Sequence, residues 1–97
     1  MSKTVRKLND KLVGALKILN EFACEELVGF KKLEHTVAFD LFPGSLLVTC
    51  YFEDQAALDN SKKDKKIIQK KLVSLLLKQG IVLKDVKQNL AFAVSEL

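Results

Sequence analysis

A chain of this size does chemistry through histidine, cysteine, clustered carboxylates or clustered cations, and here those side chains are unevenly supplied. His35 is the only histidine, so neither a metal cluster nor a conventional triad can be built from several imidazoles. Cys24 and Cys50 stand 26 residues apart and belong to no paired motif, which reads as two reduced thiols. Asp40, Glu53 and Asp54 flank a hairpin pattern and read as solvated carboxylates at strand ends. The four glycines are scattered singly, so there is no phosphate-cradling loop. The expectation is a protein that is not an enzyme, with no cofactor, no metal and no small-molecule substrate.

One stretch stands apart. Residues 62–71 hold six lysines against one aspartate, net +5, while the whole chain is only +4. The remainder therefore nets −1. Drawn as one helix, Lys62, Lys63, Lys66 and Lys70 fall within an arc of about 100°. Ammonium groups on one ridge suit a phosphate backbone, each contact releasing counterions. Lys3, Arg6 and Lys7 are further candidates for that surface. One arginine and no tryptophan leave little for bidentate base reading or stacking. Any RNA or DNA would be gripped by its backbone, weakly and with steep salt dependence.

The elements that must carry these residues are legible from periodicity. Val5, Leu8, Leu12, Ala15, Leu19 and Phe22 recur every three or four residues, which predicts a helix over 3–28 ending at Gly29. Its charges oppose its dipole: Lys3, Arg6, Lys7, Lys11 and Lys17 come first, and Glu21, Glu25 and Glu26 come last. Helices favour the reverse order. Solvated ends, an anionic partner, or an antiparallel copy of the same helix would each account for it.

Residues 29–33 read as a linker, followed by a hairpin of Thr36–Phe42 and Leu46–Phe52 about a Pro43-Gly44 turn of type II. Cys50 shares a strand face with Leu46 and Val48 and is expected in the core, whereas Cys24 falls on the polar side of the first helix. Ser61 with Asp64 resembles a capping box opening a helix over 62–79. Its core stripe is Ile68, Leu72, Leu75, Leu76 and Gln79. Val73 and Leu77 lie off that stripe, so the helix end is apolar nearly all round and is expected to meet a second surface. Asn89–Ser95 alternates as a third strand.

Ninety-seven residues, 48% hydrophobic and 29% charged, describe a single globular domain over 1–97. No apolar run approaches the roughly 20 residues that span a bilayer. Met1–Thr4 leads into an amphipathic pattern with no signal-peptide core. A cytoplasmic location and no membrane partner are expected.

The element order helix–strand–strand–short helix–helix–strand resembles the bacterial (type II) KH RNA-binding module. That module's glycine-x-x-glycine loop corresponds here to Asp59-Asn60-Ser61-Lys62-Lys63-Asp64, which has neither glycine. Separately, Met1–Asn9 (MSKTVRKLN) and Phe42–Cys50 (FPGSLLVTC) resemble a group of small bacterial proteins, some labelled by transfer as regulators of the factor-for-inversion-stimulation type. That label implies an all-helical chain ending in a helix-turn-helix, whereas this chain ends in a predicted strand. The resemblance implies no established activity.

The expected fold is α+β, in the order α-β-β-α-β: a three-stranded, mainly antiparallel sheet with two main helices on one face. The helix between strands two and three permits a parallel crossover, or a split arrangement with strand three beside strand one. The split arrangement is the expectation. Two functional readings follow. One is a non-catalytic, nucleic-acid-associated accessory protein using Lys62, Lys63, Lys66 and Lys70, with Lys3, Arg6 and Lys7. The other is a protein-interaction module, most simply a homodimer through the first helix or through Val73 and Leu77.

Overall fold

A computed structural model describes residues 3–95. Helix α1 spans Lys3–Glu26 and buries Leu12, Ala15, Leu16, Leu19 and Ala23. Gly29, at φ 79°, ends it in the left-handed conformation that costs glycine nothing.

The chain turns at Gly29 directly into strand β1, Phe30–Thr36, so the expected linker over 29–33 is in fact the first half of a strand. A bulge hid it. The register shifts between Phe30 and Lys32, leaving Lys31 as the extra residue. Phe30 and Leu33, three apart, therefore pair with Phe52 and Cys50 on one face. An inserted residue breaks the period of two by which strands are recognised.

Of the expected first strand over 36–42, only Thr36 lies in β1, and residues 37–42 form a loop. It holds a 3₁₀ turn at Phe39–Leu41, and Leu41 is 67% exposed. The Ser45 hydroxyl closes this loop, donating to the Ala38 carbonyl at 2.6 Å and accepting from the Ala38 N–H at 3.0 Å. The Phe42–Pro43 peptide is cis and Gly44 has no positive φ, so the expected type II turn is absent.

Strand β2, Leu47–Phe52, is central. It pairs antiparallel with β1 and parallel with β3, Leu90–Val94, giving the order β1-β2-β3. Strand three thus lies beside strand two, not beside strand one, and the sheet is mixed. The crossover runs through α2 (Gln55–Ser61), a 3₁₀ turn at Lys62–Asp64 and α3 (Lys65–Leu77). It brings Phe92 against Phe52, ring centres 5.7 Å apart. That apolar pairing favours the central strand over β1, whose free edge carries Lys31, Lys32 and Glu34, the charges that discourage further pairing.

Helix α2 starts at Asp54, whose carboxylate accepts from the Ala57 N–H at 2.8 Å. The expected capping box does not form. The helix continues through residues 59–61, so Ser61 is its last residue rather than the cap of the next helix; it is buried and donates to the Leu58 carbonyl at 2.6 Å. Helix α3 buries Ile68, Leu72, Leu75 and Leu76. Gln79 is exposed, because the helix stops at Leu77. The chain then reverses at Gly80, with Ile81 donating back to the Leu76 carbonyl at 2.9 Å. A single-turn helix, α4 (Val86–Asn89), capped by Asp85, leads into β3.

The core lies between the helices and one sheet face, where Val48, Cys50 and Phe52 are fully buried. The opposite face presents Lys32, Glu34, Thr36, Leu47, Thr49, Tyr51, Ala91 and Ala93, none of them buried. The result is a two-layer α+β fold. Among the described residues, no helix is long and apolar enough to cross a membrane.

Candidate functional site

The lysine segment does not form one ridge. Lys62 and Lys63 sit on the 3₁₀ turn and Lys65 begins α3. A 3₁₀ turn advances about 120° per residue instead of 100°, so the phase assumed for a continuous helix is lost. Lys62 is ion-paired with Asp59 at 3.4 Å. Lys65 leans over the Phe92 ring at 5.5 Å and Lys71 over Phe22 at 5.1 Å, to opposite flanks of α3. Lys63, Lys66 and Lys70 are exposed and have no ion pair among the described residues.

Lys3, Arg6 and Lys7 are exposed but belong to the other end of the molecule. The Phe22–Lys71 contact, and a concavity of about 450 Å³ shared by Glu26, Leu27, Val28, Asn60, Ser61, Lys63 and Asp64, set the C-terminal end of α1 beside the start of α3. At 1.5 Å per residue, Arg6 is about 24 Å along α1 from Phe22. The two basic groups cannot form one patch.

The helices run antiparallel, so the acidic end of α1, with Glu21, Glu25 and Glu26 all exposed, lies at the same end of the helix layer as the lysine-rich start of α3. Among the described residues no ion pair joins the two.

Val73 and Leu77 lie together on the flank of α3 that faces away from α1. With Gln69, Lys70, Ser74 and Val86 they line an open, largely apolar groove of about 390 Å³. Val73 is half-buried, and Leu77 is 58% exposed. Sequence reasoning found two walls of this groove but missed the third. The signal for it was Asp85, a helix-capping residue just before Val86. Lys66 and Lys70 continue the same flank toward the helix start at spacings of four and three residues, so one strip of α3 is cationic and then apolar.

The other reactive groups stand apart. Burial pushes the Cys50 thiol up from its ordinary 9.0 to about 12, which keeps it protonated and unreactive. Cys24 is exposed on α1. His35 is half-buried beside Val48 in the β1–β2 register. Among the described residues no three His, Cys, Asp or Glu side chains converge as a metal site. Comparison with known proteins finds no family, curated protein or solved structure that matches the chain.

Proposed function

We propose that this chain is a non-catalytic interaction module, and that the outward flank of α3 recognises an acidic, amphipathic helix. The observation that carries this is the alignment of Lys66 and Lys70 with Val73 and Leu77, opening into the groove walled by Val86. Ammonium groups select an acidic partner, and the exposed apolar walls supply the contact area. Fluorescence anisotropy with a labelled helical peptide tests it. The peptide carries two leucines one turn apart, followed by two glutamates at the matching spacing, so that it docks antiparallel to α3. Micromolar binding is expected for this peptide and none for a version with lysine in place of glutamate. Equal binding to both, or to neither, would defeat the reading.

A second reading is favoured by a separate observation, the exposed ammonium groups of Lys63, Lys66 and Lys70, which have no ion pair among the described residues, in the segment that also holds Lys62. Here the chain grips a phosphate backbone of RNA or DNA without reading bases. The element order shared with the KH-type module supports this direction, and the missing glycines rule out that module's usual backbone clamp. Salt-titrated anisotropy with generic duplex DNA and single-stranded RNA tests it. Three contacts on duplex DNA give a slope of about −2.7 in log affinity against log salt. A Lys62/Lys63/Lys66/Lys70 to glutamine variant should lose binding. Unchanged affinity in that variant would refute the assignment.

A further inference from the structure

Helix α1 carries an outward strip of its own. Gly14, Ile18, Glu21 and Glu25 are all exposed, with Ile18 at 48%. Their spacing is four, three, four. The strip on α3, Lys66, Lys70, Val73 and Leu77, has the same spacing. Each strip lies roughly 150° around its helix from the buried stripe.

We propose that two copies of the chain associate through these strips, α1 of each copy packing antiparallel on α3 of the other. The inference rests on the interaction reading and names its partner. In the antiparallel alignment Glu25 meets Lys66, Glu21 meets Lys70, Ile18 meets Val73 and Gly14 meets Leu77. All four positions match at once, acid to base and apolar to apolar. A parallel alignment would set Ile18 against Lys70 and Glu25 against Leu77, so the pattern selects one direction. Gly14, a poor helix residue, has no neighbouring atom within 4 Å of where a Cβ would stand, which leaves room for the exposed Leu77 of the second copy.

Symmetry is compatible with this contact. Within one copy α1 and α3 already run antiparallel. A two-fold axis parallel to the helices preserves each direction and sets α1 of one copy opposite α3 of the other, twice over. The interface is therefore self-complementary and closed, as most homodimers are. The repeat every seven residues over two antiparallel pairs is the spacing of a short helical bundle.

Analytical ultracentrifugation of the full chain tests the register. Wild type is expected to be a concentration-dependent dimer that weakens as salt rises. Glu21→Lys with Glu25→Lys places lysine against lysine. Lys66→Glu with Lys70→Glu places acid against acid. Each pair of changes should weaken self-association on the order of 100-fold, with circular dichroism showing the fold intact. Mixing the two variants restores opposite charges in both contacts, so an equimolar mixture should form a heterodimer. A wild type that stays monomeric overturns the proposal, as does a dimer indifferent to both changes, or a mixture that fails to associate. A monomer that still binds the acidic peptide defeats self-association alone, whereas a chain that does neither defeats the interaction reading as well.

Discussion

The Lys71 ammonium stands 5.1 Å from the centre of the Phe22 ring, and that contact ties the acidic end of α1 to the basic start of α3. Both side chains are half-buried, so the cation is partly desolvated over the ring face, where such contacts are worth about 0.5–1 kcal/mol or more. Lys71→Met keeps the apolar stem and should cost less than about 1 kcal/mol. Phe22→Ala should cost about 2 kcal/mol, below the range for a fully buried phenylalanine. Urea denaturation of both single variants and the double variant gives the coupling, expected at about 0.5–1 kcal/mol. A coupling of zero would show that the two groups are mere neighbours.

Three glycines separate three physical effects. Gly29 has φ 79°, and a Cβ there would overlap the Cβ of Ala57. Gly29→Ala should therefore cost at least about 3 kcal/mol, backbone strain and overpacking together. Gly80 has φ 78° with nothing close to it, so Gly80→Ala should cost only the backbone term, about 1–2 kcal/mol. Within one chain Gly14 sits in open space inside α1, and at concentrations where the chain is a monomer Gly14→Ala should stabilise the fold by about 0.5–1 kcal/mol. Chemical denaturation ranks the three. Any order other than Gly29, Gly80, Gly14, from most to least destabilising, contradicts the assignment.

The elements legible in the sequence were those whose pattern was set by burial on a single face. Leu12, Ala15, Leu19 and Ile68, Leu72, Leu75 announced two helices, and the β-rich apolar run around Val48 and the alternation around Leu90 announced two strands. What misled was local. Lys31 sits in a bulge that shifts β1 out of phase, and the alternation of Val37, Phe39 and Leu41 belongs to a loop. The arc drawn through Lys62 and Lys70 assumed one helix where a 3₁₀ turn intervenes. Long-range placement was illegible for a different reason. Whether β3 sits beside β2 or β1 depends on contacts such as Phe52 with Phe92, forty residues apart, and periodicity carries no information about them. The same limit hid the distance between Arg6 and Lys66 and the third wall of the groove at Val86.

Asn89 ties the long β1–β2 loop to the start of β3. Only 4% exposed, its side-chain amide donates to the Leu46 carbonyl at 2.8 Å and to the Pro43 carbonyl at 3.2 Å. Asn89→Ala leaves these acceptors without a donor and should cost about 2–3 kcal/mol. Asn89→Asp should cost more, because a buried carboxylate would face two carbonyl oxygens. Thermal unfolding of both variants checks this. An aspartate variant as stable as wild type would mean that water reaches the site and the amide is no staple.

The two thiols should differ in reactivity and in their effect on the pH dependence of stability. Cys24 is exposed and Cys50 fully buried, so a thiol reagent should label one cysteine in the native protein and both in denaturant. Burial raises the Cys50 thiol from 9.0 to about 12. Below about pH 9 the thiol is protonated in both the folded and unfolded chains, and pH makes no difference through this group. Between about pH 9 and 12 the unfolded thiol ionises while the folded one keeps its proton. The unfolded state gains, and the fold loses about 1.4 kcal/mol per pH unit through that window. Lysines titrate in the same range, so the quantity to measure is the difference between wild type and Cys50→Ala, by urea denaturation at successive pH values. That difference should be constant below pH 9 and shift against wild type above it. A difference that stays flat to pH 11 would show that the Cys50 thiol ionises as readily in the folded protein as in the unfolded chain.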